Sequence, residues 1–281
     1  MTPILSRRHF LGCAAGAAGS MLLPWAKNAQ AAEALNFAGF NVGIQSYTLR
    51  HYKVDEAIQF VKDWGLKRIE FYGAHFGTGS SAEQISEMKK KLGDIQISAH
   101  GVNGFSKNHD SNRKLFEFAK AAGIKNITAD PTEDSFESLD KLVKEFDIRV
   151  AIHNHGPGAR YDKVADVLKA VKDHDSRIGA CADLGHYIRS GEDPVKVITL
   201  LEGRLFGIHL KDFAEMKKDA KGVILGKGQL DVAGVFKALK KVNFPADGAL
   251  SLEYEENEKN PLDDVKQCLQ IAAEGAQKGA T

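Results

Sequence analysis

From residue 41 onward the chain alternates short apolar runs with longer stretches in which apolar residues recur at i, i+3, i+4 and i+7. The short runs are NVGIQSYTL (41–49), RIEFYG (68–73), IQISAHGV (95–102), NITADP (126–131), RVAIHN (149–154), IGACADLG (178–185), LFGIHLKD (205–212) and ALSLEYE (249–255). They begin 23 to 31 residues apart up to the seventh, and a longer gap precedes the eighth. Runs of this kind predict strands buried on both faces. Between them, VDEAIQFVKDWG, SAEQISEMKKKLG, SNRKLFEFAKAAG, SFESLDKLVKEF, YDKVADVLKAVKDH, PVKVITLLEG and DVAGVFKALKKV predict amphipathic helices. Gly65, Gly93 and Gly123 close three of these, as helix C-termini prefer.

Eight strand–helix units in about 240 residues predict a parallel sheet covered by helices. A doubly wound open sheet is the competing architecture, but it usually has fewer strands, and no GxGxxG follows the first run. The predicted fold is therefore α/β, a single-domain (β/α)8 TIM barrel over residues 32–281.

The first 31 residues read differently. Arg7 and Arg8 precede an uncharged stretch from Phe10 to Ala26, and Ala29-Gln30-Ala31 offers a small-x-small cleavage pattern. SRRHFLG resembles the twin-arginine export signature. A membrane anchor fits less well, because Pro24 follows only about 14 uncharged residues where roughly 20 are needed to span. A lipoprotein cysteine at Cys13 lacks a hydrophobic segment ahead of it. The expectation is a twin-arginine signal peptide over 1–31 and a periplasmic mature protein with no membrane association after cleavage.

Cleavage would remove Arg7, Arg8 and Lys27 and no acid, turning a net charge of +1 into −2. No basic surplus then remains to attract nucleic acid or anionic lipid. Cys181 and Cys268 survive, one mid-strand and one late in a helix, and both read as buried small apolar residues rather than a disulfide.

In a barrel, polar residues at the C-terminal strand ends converge on one mouth. Those ends supply Glu70, His100, His153 and His155, Asp183 with His186 just beyond, His209, Lys211 and Asp212, and Glu253 and Glu255. Taken singly, each has a plain structural reading: His100 or His155 as a hydrogen-bonded imidazole, Glu70 as an ion-paired barrel carboxylate, Lys211 and Asp212 as a pair at the rim. His109 and His174 lie in helix or loop and read as solvent-facing. Taken together, His153, Asp183, His209 and Glu253 come from four consecutive strands. Burying such a set without a compensating cation would cost several kcal/mol. Two imidazoles and two carboxylates suit one divalent Mn, Zn, Co or Fe ion and suit calcium poorly. With no thiolate in the set, a closed structural zinc site is disfavoured. Open coordination positions would let the ion act as a Lewis acid.

ADLGHYIRSGEDP, GIHLKD, LGKGQLD (225–231) and ALSLEYE resemble the corresponding segments of the xylose isomerase-like barrel superfamily, across the whole mature chain. The resemblance implies that Asp183, His209 and Glu253 hold a divalent metal, that His186 contacts substrate or a further metal, and that Lys211 contacts substrate. The chain departs from the family at His153, where glutamate is usual and, in epimerases, pairs with the last-strand glutamate to move a proton between opposite faces of a carbon. Imidazole keeps a ligand there and alters its charge and basicity.

The expected function is a metal-dependent isomerase or epimerase acting on a small non-phosphorylated sugar or cyclitol through an enediolate. Glu253 or His155 is the expected base, and Lys211 or His186 the group that stabilises the oxyanion. Glu253, His155 and Lys211 are thus the catalytic set, while Glu70, His100, His186 and Glu255 are expected to contact substrate. A keto-sugar lyase or hydratase on the same scaffold is the alternative, and a non-catalytic sugar-binding barrel the next. An apurinic endonuclease would need more metal ligands and a basic DNA-facing surface. The sequence carries no signal of oligomeric state.

Overall fold

The computed structural model describes residues 35–281. The twin-arginine leader expected over 1–31 lies outside the described residues. Within them, ten strands and nine helices follow the predicted alternation: β1 (Val42–Gln45), α1 (Val54–Asp63), β2 (Arg68–Phe71), α2 (Ala82–Leu92), β3 (Gln96–Phe105), α3 (His109–Ala122), β4 (Asn126–Pro131), α4 (Phe136–Phe146), β5 (Arg149–His153), α5 (Val164–Val171), β6 (Ile178–Asp183), α6 (Leu184–Arg189), α7 (Pro194–Leu200), β7 (Leu205–Leu210), β8 (Asp212–Phe213), β9 (Gly222–Val223), α8 (Val232–Lys241), β10 (Ala249–Leu252) and α9 (Leu262–Ala280). Eight parallel strands close on themselves in the order β1-β10-β7-β6-β5-β4-β3-β2, while β8 and β9 form a two-stranded antiparallel pair above the seventh barrel strand. The architecture is the closed (β/α)8 barrel, not the open sheet. Among the described residues no helix is long and apolar enough to cross a membrane.

The element ends follow local chemistry. Ser81 and Gln84 form a reciprocal capping box at the start of α2, and Gly93 and Gly123 end α2 and α3 with positive φ. The first predicted strand is shorter than the run NVGIQSYTL, because Ser46–Leu49 turns into a 3-10 helix over which the Gln45 side chain accepts from Tyr47 N–H. The helix α6, too short for its periodicity to show, begins where the Asp183 side chain accepts from His186 N–H. Cys181 and Cys268 are buried free thiols, as their positions suggest. His109 and His174 are not free at the surface, since His109 pairs with Ser138 Oγ at 2.9 Å and His174 with Asp140 Oδ2 at 2.8 Å.

Outward faces of the strands carry Ile, Val, Leu and Phe into one continuous core with the helices. Inside the barrel the side chains stack in layers. Near the N-terminal end, Arg149 donates to Asp247 at 2.8 Å and its guanidinium lies over the Phe206 ring at 5.1 Å. Above them sit Ala151 and Cys181, packed on Phe206. Charged groups then fill the C-terminal end. The interior leaves no slack at Gly179, where an added Cβ would run into Arg204 O and lie 2.6 Å from Phe206 Cε2. Gly179→Ala should destabilise the fold by about 1–3 kcal/mol as overpacking. Urea denaturation should show this as a lower midpoint with an unchanged slope.

Candidate metal centre

Four strands bring one ligand atom each to the mouth. His153 ends β5, Asp183 ends β6, His209 lies on β7 directly beside Asp183 in register, and Glu253 follows β10. His153, Asp183, His209 and Glu253 are all buried, and a ligand atom from each lies within 4.8 Å of every other. His153 Nε2 and His209 Nδ1 face one another at 3.1 Å, and His209 Nδ1 is 3.1 Å from Glu253 Oε2. Asp183 Oδ2 is 3.5 Å from His153 Nε2 and 3.7 Å from His209 Nδ1.

The donor set fits a divalent transition ion. Two nitrogen donors turned toward each other and two convergent carboxylates make a compact site of borderline softness. Asp183 Oδ2 is wholly buried and faces the cluster, with the Lys211 ammonium 2.9 Å away and both imidazoles within 3.7 Å, so its charge is directed at the place an ion would take. The other oxygen, Oδ1, is taken by the cap of α6 at 2.8 Å, while Asn154 bonds both the N–H and the C=O of Asp183. Asp183 is thereby fixed with one oxygen facing the cluster.

His209 is held from behind. Its Nε2–H donates to Glu70 Oε2 at 3.1 Å, and Glu70 also accepts from Ser251 Oγ at 2.8 Å and Thr128 Oγ1 at 2.6 Å. That arrangement fixes the tautomer and aims Nδ1 at the cluster. His153 differs: its Nδ1 is buried without a hydrogen-bond partner among the described residues, and its ring rests against His155 with centroids 4.6 Å apart.

The electrostatics follow from crowding. Burial alone would raise the pKa of Glu70, but the charge of His209 and three hydrogen bonds outweigh it and hold the carboxyl below its ordinary value. Burial would likewise raise Asp183 and Glu253, yet nearby His186, His209 and Lys211 keep both well below the usual carboxylate range. For His209 and Lys211 burial favours the neutral form, and the surrounding carboxylates overcome it and raise both. Lys211 Nζ lies 2.9 Å from Asp183 Oδ2 and 2.5 Å from both Glu253 Oε2 and Glu255 Oε1. His155 and His186 go the other way: burial first, then like-charged neighbours, push them down to about 4 and about 3. Both imidazoles are neutral at neutral pH.

The structure sorts the residues expected from sequence. His153, His155, Asp183, His186, His209, Lys211, Glu253 and Glu255 come together at the mouth. Glu70 does not reach substrate space: it is wholly buried beneath His209, which makes it an orienting carboxylate. His100 does not reach it either. Its Nε2–H donates to Phe76 O at 2.7 Å and its ring packs on Phe118 between strand and helix, which is the structural reading of that residue. Asp212 does not pair with Lys211; it accepts from the backbone N–H groups of Gly228, Gln229 and Leu230, folding LGKGQLD over the rim. Arg189 was not singled out in the sequence, yet it sits beside His186 with Nη1 3.5 Å from Nδ1. The motif DLGHYIRSG contains it, but a six-residue helix gives no periodicity from which to read its direction.

If Glu70 orients His209, Glu70→Gln should weaken binding of Mn²⁺ or Co²⁺ roughly 10–100-fold, measured by titration calorimetry, with the circular dichroism spectrum unchanged.

Residues 58–273 match the family described as xylose isomerase-like TIM barrel. An inosose dehydratase of Clostridium botulinum is 29% identical over 143 residues, which is 44% of this chain and 47% of the relative. A 3-oxo-isoapionate decarboxylase of Pectobacterium atrosepticum is 25% identical over 179 residues, 57% of this chain and 63% of the relative. The chain thus spans about half the length of the curated dehydratase it matches. The crystal structure of an uncharacterised protein from Parabacteroides distasonis superposes with a TM-score of 0.64 at 29% identity, covering 83% of this chain and 98% of the other. With most of its length matched and its eight strands closed into one barrel, the chain belongs to the xylose isomerase-like TIM barrel family.

Proposed function

We propose that this protein is a divalent-metal-dependent enzyme that removes the proton beside the carbonyl of a non-phosphorylated keto-sugar or cyclitol, and that loss of water is the favoured outcome. The observation that carries this reading is the division of labour at the mouth. His153, Asp183, His209 and Glu253 form a compact ligand set, and a neutral imidazole, His155, stands directly beside it. The ion, when bound by those four side chains, supplies Lewis acidity toward a substrate oxygen.

The choice of base follows from what each group already holds. Glu253 Oε2 is gripped by His209 at 3.1 Å and Lys211 at 2.5 Å and is held well below the carboxylate range, so it is a weak base. His155 is half-buried and neutral, and its ring makes no hydrogen bond among the described residues. It takes the C–H proton, the electron pair left behind forms the enediolate, and the Lys211 ammonium and His186 stabilise the oxygen that becomes negative. His155 then returns its proton to a departing β-hydroxide, which leaves as water. One base on one side supports elimination over exchange of a proton between opposite faces.

Similarity to an inosose dehydratase supports the same outcome. The second reading is isomerisation or epimerisation, in which Glu253, buried at the same mouth, would serve as the second base. A non-phosphorylated substrate accords with export, which is proposed from Arg7, Arg8 and the small residues at Ala29–Ala31.

Metal-supplemented protein incubated in deuterated water with an inosose and with ketohexoses should exchange the proton beside the carbonyl and release a product lighter by one water, both followed by mass spectrometry. Exchange with no loss of water would select the isomerase reading. Absence of exchange on every ketone would refute proton abstraction. His155→Ala should lower kcat by about 10²–10⁴-fold with metal content retained, whereas His153→Ala should lose the metal by elemental analysis. Arg7→Lys with Arg8→Lys should leave the protein uncleaved in the cytoplasmic fraction, as read by N-terminal sequencing.

A further inference from the structure

Of the eight arginines among the described residues, five pair with a carboxylate, Arg50, Arg113, Arg149, Arg160 and Arg177, while Arg68, at the start of β2 and away from the mouth, makes one long contact to Ala246 O at 3.4 Å. Arg204 is satisfied by three backbone carbonyls. Arg189 is different. Half-buried at the mouth, it has no acid within ion-pair distance among the described residues, where its one close hydrogen bond runs from Nε to Lys218 O at 2.9 Å. The two terminal nitrogens are left with one long contact, from Nη1 to His186 Nδ1 at 3.5 Å.

The guanidinium is nevertheless held in place. Its Cζ lies 5.3 Å from the centre of the Phe213 ring. It rests on Gly156, where a Cβ would come within 3.1 Å of Cζ and 3.2 Å of Nη1. Thus backbone, aromatic face and imidazole fix a fork whose outer donors, apart from the long contact of Nη1 to His186 Nδ1, meet no acceptor among the described residues. Such a fork is matched to a planar anion that can take two parallel hydrogen bonds. The side chain that separates it from the metal ligands is His186, whose Nε2 is 3.9 Å from Asp183 Oδ2.

Resting on the function proposed above, we infer that the substrate is a keto-sugar acid: its ketone lies at the His153–Asp183–His209–Glu253 centre, and a carboxylate a few carbons away is clamped by Arg189. A single guanidinium suits a carboxylate better than a phosphate dianion. Two lysines of this region are already engaged, Lys211 by three carboxylates and Lys163 by Ser190 O.

The test compares 5-keto-D-gluconate with L-sorbose, which differ in a carboxylate or a hydroxymethyl group at the end remote from the ketone. Binding to Mn²⁺-supplemented protein is measured by calorimetry, with D-fructose 6-phosphate as the phosphate arm. The wild type should bind the acid roughly 10–100-fold more tightly than L-sorbose. That preference should vanish in Arg189→Ala and shrink in Arg189→Lys, which keeps the charge without the fork. Gly156→Ala, which displaces the guanidinium without removing it, should also reduce it, guarding against misfolding of the alanine variant. Equal affinity for acid and neutral sugar, a preference that survives Arg189→Ala, or tighter Arg189-dependent binding of the phosphate would each overturn the inference. Failure of the broader reading is distinguishable, because proton exchange in deuterated water would then be absent with every ketone while acid binding stayed dependent on Arg189.

Discussion

The interior of this barrel is governed by the burial of three carboxylates within reach of one imidazole. Glu70, Asp183 and Glu253 are each at least nine-tenths buried, and all three approach His209. Left alone, each would forfeit several kcal/mol of hydration. The chain compensates in tiers: hydroxyls of Thr128 and Ser251 and the His209 N–H below, the Lys211 ammonium beside, and a place for a cation among the remaining lone pairs. Much of what surrounds the centre serves that arrangement. Asn154 pins the backbone of Asp183, and Asp212 is drawn away from Lys211 by three backbone N–H groups.

Charge counting favours an imidazole over a further carboxylate at the end of the fifth strand. The three carboxylates Glu70, Asp183 and Glu253 would be balanced by Lys211 and one divalent ion held by the four ligands. A fourth buried carboxylate would leave the cluster one charge negative. A lysine packed into the site therefore accords with imidazole at position 153, and the pair reads as one adjustment of the same balance. Sequence inspection registers both residues without showing that they touch the same acids.

The alternation of elements was legible because buried parallel strands are short and continuous in their apolarity, and the covering helices are amphipathic. The four ligands were legible for a related reason: strand ends in a barrel share one mouth, so listing the ends lists the site. Depth and facing were not legible. His100 occupies a strand-end position in sequence, but the register shifts between Ile69 and Glu70, and His100 stands opposite outward-facing Phe71. Glu70 faces inward, yet the stagger of the strands places it a layer below the ligands, beside Thr128 and Ser251. That stagger is fixed by hydrogen-bond register between distant segments, for which a single chain offers no local signal. Arg189 escaped notice because its helix is only six residues long, and its neighbours come from elsewhere in the chain, Gly156 from the stretch after β5 and Phe213 and Lys218 from the β8–β9 hairpin.

Asp183 divides its two oxygens between different tasks. One starts the helix that carries His186 and Arg189, and the other looks into the cluster. The carboxylate is thus a pivot shared by the two ends of the mouth. A rotation of χ2 toward an ion would lengthen the bond from the His186 N–H in the first turn of that helix. The ligand cluster and the helix that carries the guanidinium thus share one planar group as a common anchor.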